Sequence, residues 1–158
     1  MLPELNLQSP PLAIASAALA GFAVGILPIG LAEVAAIAIG AVAPSWLAVT
    51  MLVVFTASHV GSKWIWYVIG SLAERIRHPM ALRMIARTRE FLERNPAYGP
   101  STLAAGALLS VPPFHLTAIA AGIIRLPVAQ FLLICFGGRL LRFGILASAP
   151  TLWRAWSG

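Results

Sequence analysis

Charge and cysteine are both scarce in this chain of 158 residues. Only 10% of the residues are charged, there is one cysteine, and there is no aspartate. A soluble domain carries roughly 25% charged residues, so this composition excludes an ordinary soluble domain. One cysteine also excludes an intramolecular disulfide and a thiolate metal cluster. Because 59% of the residues are hydrophobic, the chain is predicted to be an integral membrane protein with a single membrane domain over residues 1–158.

Six apolar segments follow one another along the chain. They cover residues 12–27, 29–43, 46–70, 101–111, 113–124 and 128–150. Only 46–70 and 128–150 exceed the roughly 20 residues that a spanning helix needs. The four shorter segments form two pairs broken at Pro28 and at Pro112–Pro113, which predicts two re-entrant helical hairpins. An ordinary tilted or kinked span is the alternative for each pair.

The only strongly polar stretch, residues 71–100, separates the two halves. From Pro79 to Asn95 it has helical periodicity, which predicts an amphipathic helix in the membrane interface. Its apolar side would carry Met80, Met84, Ile85, Thr88, Phe91 and Leu92. On the other side, Glu90 and Arg94 are four residues apart and are predicted to form an ion pair. A solvated helix packed on its own bundle is the alternative.

Basic residues concentrate in the same stretch and predict the topology. Six of the eleven lie between Arg75 and Arg94, so the positive-inside rule places residues 71–100 in the cytoplasm. The expected interfacial anchors are Arg83, Arg87, Arg94 and, at the end of the second hairpin, Arg125. Because topology explains the positive charge, nucleic-acid binding is not expected. Ten arginines to one lysine suggest a GC-rich bacterium as the host, and the expected location is the bacterial cytoplasmic (inner) membrane.

The two halves resemble one motif used twice. Aligning Gly40 with Gly122 places Glu33 opposite His115, and "GSKWIWY" at 61–67 matches "GGRLLRF" at 137–143. The spans on either side of the linker run in opposite directions, so these repeats would be inverted in the membrane. The sequence therefore predicts an all-α protein with repeat 1 at about 12–70, a linker at 71–100 and repeat 2 at about 101–150. Each repeat would be a re-entrant hairpin followed by a long transmembrane helix.

Few ionisable residues lie inside the apolar segments, and lipid cannot solvate them, so each is a functional candidate. They are Glu33, His59, Lys63, His115, Arg139 and Arg142. One carboxylate accompanies three groups that are normally cationic, which leaves a formal excess of about two positive charges. An arginine fork binds phosphate bidentately, and helices that restart after a proline direct free N–H groups towards an anion.

These charges predict a site for a phosphate-sized anion. The alternative is that Glu33 only pairs with one of the cations as a structural tether. His59 and His115 lack a supporting carboxylate or thiolate cluster, so no metal site is expected. No arrangement typical of nucleophilic catalysis is present either, and we therefore expect no catalytic residues and no enzyme.

The stretches "LPIGLAEVAAIAIGAV", "HVGSKWIWYVIG" and "AAGIIRLPVAQFLLICFGGRLLRF" resemble the DedA superfamily, also called the VTT or SNARE-associated domain, and its short YqaA-like branch in particular. The resemblance covers roughly residues 22–145. It implies opposed re-entrant hairpins, inverted repeats, and movement of phospholipids or polyprenyl phosphates between leaflets, with Glu33 in the essential acidic role. Two arginines that typically flank the proline of the second hairpin are replaced here by apolar residues near Leu108 and Phe114.

We therefore expect a scramblase or flippase whose partners are membrane phospholipids or polyprenyl phosphate. Arg139 and Arg142 would hold the phosphate, Lys63 and His59 would assist, and Glu33 would gate transport or couple it to protons or sodium. No cofactor is expected, and a homo-oligomer is compatible with the sequence. The alternatives are a non-transporting scaffold or assembly factor with internally paired charges, and a transporter of a small soluble anion.

Overall fold

The described part of the chain is almost entirely helical. The computed structural model describes residues 9–27, 31–75, 79–111 and 113–157, and no strand occurs within these ranges. The helices are α1 (Pro10–Ile26), α2 (Leu31–Val42), α3 (Ser45–Ser71), α4 (Pro79–Arg94), α5 (Tyr98–Leu109), α6 (Phe114–Ile123) and α7 (Val128–Ser157), with a 3₁₀ turn at Ala73–Arg75. The predicted all-helical class is confirmed.

Among the described residues, two helices are long and apolar enough to cross a bilayer. They are α3, with 27 residues, and α7, with 30, and they correspond to the two long apolar segments of the sequence. Helix α7 continues through Pro150 to Ser157, beyond the predicted end of the segment at residue 150. A proline removes one backbone donor and need not end a helix. The Thr151 hydroxyl donates to the Ser148 carbonyl at 2.7 Å in this turn.

The shorter helices are interrupted where the sequence predicts. Helix α1 ends at Ile26 and α2 begins at Leu31, while α5 ends at Leu109 and α6 begins at Phe114. The predicted breaks at Pro28 and Pro112 lie outside the described residues. Helix α1 contacts α2, and α5 contacts α6, so each interruption separates two neighbouring helices. Whether these pairs are re-entrant stays a prediction.

The chain divides into two compact units, each of which takes part of α3 and part of α7. Among the described residues, the first unit holds those up to Ser62 and those from Leu140 onward, and the second holds Lys63–Arg139. In the first unit, α1 approaches α3 closely through Gly21 and Gly25. A Cβ atom at Gly21 would collide with the Phe55 carbonyl, and one at Gly25 would collide with the Ser62 hydroxyl. Two glycines four positions apart are a common way for membrane helices to pack with their backbones close together.

Aromatic packing and a buried hydrogen bond hold the second unit. The Tyr67 ring lies 4.9 Å from the Phe131 ring, and both side chains are buried. The Tyr67 hydroxyl donates to the Leu126 carbonyl at 2.7 Å, which ties α3 to the turn before α7. Helix α6 approaches the same region because Gly122 lies against the backbone of Tyr67 and Ser71.

Helix α4 ends one residue before the predicted end at Asn95 and carries the predicted ion pair. Arg94 donates to the Glu90 carboxylate at 2.7 Å on an exposed face. Arg89 donates to the Ile123 carbonyl at 2.9 Å and Ile85 is buried, so part of α4 packs on its own unit. Most of the predicted apolar face lies outside the described side chains, namely Met80, Met84, Thr88 and Leu92. Its placement at a membrane interface stays a prediction.

Candidate functional site

Two cationic side chains share one aromatic ring in the second unit. The Lys63 ammonium lies 5.7 Å from the centroid of the Phe114 ring, and the Arg139 guanidinium carbon lies 4.3 Å from it. Only 3% of Lys63 and 4% of Arg139 are exposed. The faces of aromatic rings attract cations, most strongly where water is excluded. Phe114 is itself buried, so it brings two charges together in an apolar part of the protein.

Both cations lie well inside the long helices. Lys63 is eight residues before the end of α3, about 12 Å along the axis at 1.5 Å per residue. Arg139 is eleven residues after the start of α7, about 17 Å along it. Gly138 precedes Arg139, and a Cβ atom there would come within 2.8 Å of the Ala107 side chain. This small residue lets α5 approach α7 next to the guanidinium.

Glu33 forms an ion pair with Arg142 in the first unit. Arg142 Nε donates to Glu33 Oε1 at 3.2 Å, and the side chains are 26% and 23% exposed respectively. Glu33 lies in the first turn of α2, where the positive end of the helix dipole favours a carboxylate. The sequence leaves three cations as candidate partners for Glu33, and the structure places Arg142 next to it.

His59 lies among aromatic rings in the first unit. Its imidazole stacks on Phe55 with centroids 6.2 Å apart, and it meets the edge of Phe143 at 5.5 Å. The side chain is 3% exposed. Phe143 follows Arg142 in the sequence, so His59 packs beside the residue adjacent to the ion pair.

His115, the predicted counterpart of Glu33, has an aromatic neighbour. Its ring centroid lies 6.0 Å from that of Trp66, at an interplanar angle of 51°. His115 is half-buried at the second position of α6. Its surroundings therefore differ in kind from those of Glu33, which faces a guanidinium.

The predicted interfacial anchors are exposed. Arg83 donates weakly to the Pro79 carbonyl at 3.4 Å, and Arg94 binds Glu90, both within α4. Arg87 is exposed on the same helix. Arg125 is exposed just after α6 and has a φ of 53°, a left-handed conformation that usually favours glycine.

Sequence reasoning missed three residues that organise these units. Phe114 was noted only as an apolar replacement, although it lies beside both buried cations. Arg89 donates to the Ile123 carbonyl, and Arg154 donates to the Ala41 carbonyl at 3.0 Å, so an arginine meets the last turn of α6 and of α2. Only the position of Phe114 directly after Pro113 marked it as a residue at the start of a helix.

The comparisons with known proteins identify the family. The VTT-domain model matches residues 27–150, more than three quarters of the chain. This region contains helices α2 to α6, α7 as far as Pro150, the two cations beside Phe114, and the ion pair of Glu33 and Arg142. The chain belongs to the VTT-domain family. This is the DedA family domain, as its sequence resemblance predicts, whereas the YqaA-like branch stays a prediction. No curated protein and no solved structure matches the chain.

Membership of the VTT-domain family defines the class of function. VTT-domain proteins are membrane proteins, and the domain is associated with membrane transport or lipid-related function. The two helices long enough to cross a bilayer agree with this class.

Proposed function

We propose that this VTT-domain protein moves anionic membrane lipids between leaflets through a site that contains Lys63 and Arg139. The observation that carries the proposal is the placement of these two buried cations beside one ring, that of Phe114. Phospholipids and polyprenyl phosphates share a phosphate group that such a site would bind. The activity would be that of a scramblase or a flippase.

Electrostatics would favour an anion between these two cations. Both distances run to the same centroid, so the Lys63 ammonium and the Arg139 guanidinium carbon are at most 10 Å apart. At an effective dielectric constant of about 20, two like charges at that separation repel by roughly 2 kcal/mol. An anion between them replaces this repulsion with two attractions. The guanidinium provides a bidentate fork and the ammonium a compact point charge.

The charge balance of the apolar segments also favours an anionic substrate. They hold three normally cationic side chains and one carboxylate, a formal excess of about two positive charges. In this proposal Arg139 and Lys63 hold the phosphate. The pair of Glu33 and Arg142 gates transport or couples it to protons or sodium, and His59 packs against Phe143, the residue after Arg142. His115 holds the corresponding position in the second repeat.

Recurring contacts support the inverted-repeat hypothesis. The sequence match relates short-helix residues 82 positions apart, such as Gly40 and Gly122, and long-helix residues 76 positions apart, such as Gly61 and Gly137. Four contacts of the first unit reappear at matched positions in the second. In each case the contact of the first unit is given before its match in the second: Glu33–Arg142 matches His115–Trp66, Phe55–Phe143 matches Phe131–Tyr67, Gly40–Ala147 matches Gly122–Ser71, and Gly25–Ser62 matches Ala107–Gly138.

A fifth feature recurs at the ends of α2 and α6. The Ala41 carbonyl accepts from Arg154 and the Ile123 carbonyl accepts from Arg89, and these two carbonyls are 82 positions apart. A guanidinium there satisfies a helix C-terminal carbonyl. The donors Arg154 and Arg89 are not matched by the 76-residue offset, so this feature repeats the acceptor alone. Independent packing of low-complexity apolar helices would not be expected to repeat the four contacts above at both offsets.

Helix length supports the re-entrant hairpins of the proposal. Helices α2 and α5 each have 12 residues, about 18 Å at 1.5 Å per residue, against a hydrocarbon core of roughly 30 Å. We propose that each short pair enters and leaves by the same face in a bacterial inner membrane, with residues 71–100 in the cytoplasm. Exposed tryptophans at the start of α3 and the end of α7, Trp46, Trp153 and Trp156, fit the opposite interface.

A non-transporting scaffold is the second candidate, and one observation favours it. The ion pair between Glu33 and Arg142 is the internal neutralisation that a purely structural role requires. Under this hypothesis the charges hold helices together and no lipid crosses.

Reconstitution into vesicles distinguishes these hypotheses. The purified protein is placed in vesicles with a fluorescent phospholipid in both leaflets, and an impermeant reductant then quenches the outer leaflet. If the protein transports lipid, nearly all the fluorescence should be quenched in wild-type vesicles, because lipid from the inner leaflet reaches the outer one. Arg139→Gln and Lys63→Gln should each slow the quenching of inner-leaflet lipid at least tenfold. Arg83→Gln, an exposed site on α4, is the matched control and should behave as wild type.

Three results would contradict the proposal. A wild type that moves no lipid supports the scaffold. Equal rates for Arg139→Gln and the Arg83→Gln control remove the cationic site from transport. Uptake of inorganic phosphate into protein-containing vesicles, but not into protein-free vesicles, would assign the site to a soluble anion.

A further inference from the structure

We propose that Arg89, on the linker helix α4, is a positioning residue for the cationic site and acts through helix α6. This inference rests on the proposed function, because it concerns how that same site is held in place. The site lies at the start of α6, where the ring of Phe114 is beside Lys63 and Arg139. Arg89 lies at the other end of α6, where its guanidinium donates to the Ile123 carbonyl.

The last turn of α6 requires a donor from outside the helix. The last four carbonyls of any α-helix lack partners within it. Residues after α6 donate backbone N–H groups to three of them, the carbonyls of Ala120, Ala121 and Gly122. The fourth belongs to Ile123, and it accepts from Nε and Nη2 of Arg89 at 3.1 and 2.9 Å. Arg89 therefore completes the hydrogen bonding at the C-terminal end of α6.

The packing of α6 against α3 provides few directional contacts. Gly70 of α3 lies against the backbone of Ile119, and Gly122 of α6 lies against the backbone of Tyr67. Glycines let two helices approach closely, but the attraction between them is dispersion, which has no preferred direction. A hydrogen bond constrains both a distance and an angle. The bonds from Arg89 therefore restrain α6 against sliding, which the glycine contacts do not.

Incomplete packing beside Arg89 makes these bonds important for attaching α4. A groove of about 260 Å³ lies next to the guanidinium. Its lining includes Glu93 and Pro96 from the linker, and Ile124 and Leu126 from the turn after α6. Because the groove leaves these two segments incompletely packed, the hydrogen bonds from Arg89 provide much of the attachment between them.

The first unit satisfies its matched carbonyl in a different way. The Ala41 carbonyl, in the last turn of α2, accepts from Arg154 near the end of α7. The Ile123 carbonyl accepts instead from α4, which lies outside both predicted repeats. This contact attaches the end of the second short-helix pair to the linker, so the position of α4 is expected to influence that pair.

Helix α6 is short enough to pass a displacement from one end to the other. It has 10 residues, about 15 Å at 1.5 Å per residue, and its own hydrogen bonds make it stiff. A shift of Ile123 is therefore expected to displace Phe114. The contact with Lys63 is the sensitive one, because the attraction between a cation and a ring is significant within about 6 Å. The Lys63 ammonium is already 5.7 Å from the ring centroid.

Fluorescence of Trp66 can report the position of α6 without any transport. The Trp66 ring lies 6.0 Å from that of His115, the second residue of α6, and an imidazole quenches the emission of a neighbouring indole. Phenylalanine at the other four tryptophans leaves Trp66 as the reporter. These four are exposed, namely Trp46, Trp64, Trp153 and Trp156. Quenching is measured at one fixed pH, as the gain in emission when His115→Ala is added.

Matched substitutions in this reporter protein test the role of Arg89. Arg89→Met keeps the aliphatic stem but removes the donors, and it should reduce the quenching by at least half. Arg89→Lys keeps the charge and one donor group, and it should restore part of the loss. Arg87→Met is the control, at an exposed position roughly 160° away around α4. Arg154→Met removes the matched bond of the first unit, and both of these variants should quench as the reporter protein does.

Lipid movement in vesicles then tests whether Arg89 acts through Phe114. Arg89→Met should slow lipid movement about threefold when Phe114 is present, and scarcely at all in a Phe114→Leu background, which has no ring to position. A residue that only stabilises the fold would slow both backgrounds by the same factor. Circular dichroism confirms that each variant is folded at the temperature of the assay.

The possible outcomes separate this proposal from the transport proposal. Unchanged quenching in folded Arg89→Met, an equal loss in either control, or no quenching by His115 at all would overturn the positioning role. Equal slowing in both backgrounds would overturn action through Phe114. A wild type that moves no lipid, together with lost quenching in Arg89→Met, would support the positioning role and refute transport. Normal transport with unchanged quenching in Arg89→Met would refute the positioning role alone.

Discussion

Breaking the ion pair between Glu33 and Arg142 should destabilise the protein far more than breaking a surface pair. The perturbation is a double-mutant cycle of Glu33→Gln, Arg142→Gln and the combination. At 3.2 Å and an effective dielectric constant of about 20, the gross attraction is roughly 5 kcal/mol. About a quarter of each side chain is exposed, so water screens the pair and desolvation offsets part of the attraction. We expect a coupling free energy of about 2 kcal/mol.

The same chain supplies the control cycle. Glu90 and Arg94 have opposite charges at 2.7 Å, but 63% and 75% of their side chains are exposed. Exposed pairs four residues apart on a helix contribute about 0.4 kcal/mol. The contrast between the two cycles depends on burial, because the distance alone would rank the surface pair as the stronger one.

Unfolding in mixed micelles, followed by circular dichroism as the fraction of a denaturing detergent increases, measures both cycles. For Glu33 and Arg142, the double variant should lose about 2 kcal/mol less free energy of unfolding than the two single variants lose together. Additivity within 0.5 kcal/mol at Glu33 and Arg142, or equal coupling in the two cycles, would refute the reasoning.

Three further outcomes follow from particular contacts. Gly40→Ala should lower the free energy of unfolding by about 1–3 kcal/mol, because the added Cβ would collide with the Ala147 backbone. Gly61→Ala has open space around it and should be neutral or slightly stabilising, and thermal unfolding compares the two variants. Arg125→Gly should be about 1 kcal/mol more stable than Arg125→Ala, because both variants lose the side chain but only glycine accepts the left-handed φ; equal stabilities would contradict this. Tyr67→Phe should cost about 1–2 kcal/mol by leaving the buried Leu126 carbonyl without its donor, and an unchanged melting temperature would show that the bond contributes nothing.

The helices could be predicted from the sequence because their signals are local. Apolar length identified α3 and α7, and proline positions identified the interruptions between the shorter helices. The pair of Glu90 and Arg94 followed from spacing alone, since residues four apart face each other on a helix. Pro150 shows the limit of such signals, because a helix can continue past a proline when only one backbone bond is lost.

The partners of the charged residues could not be predicted, because they depend on packing between helices. Sequence periodicity does not decide which of three cations meets Glu33, and the structure places Arg142 there. Phe114 lacked any signal of charge, so its place beside Lys63 and Arg139 emerged only when α3, α6 and α7 were packed together. The predicted alignment of the repeats matches Lys63 with Arg139, but it gives no indication of the ring that lies beside both.

The most direct test of the central claim is lipid movement in vesicles by the double variant Lys63→Gln/Arg139→Gln. If both cations hold one phosphate, removing either already disables the site. The account therefore predicts that the double variant slows the exchange of fluorescent phospholipid at least tenfold, and scarcely more than Arg139→Gln alone. A double variant that exchanges lipid at the wild-type rate while remaining folded would contradict the account.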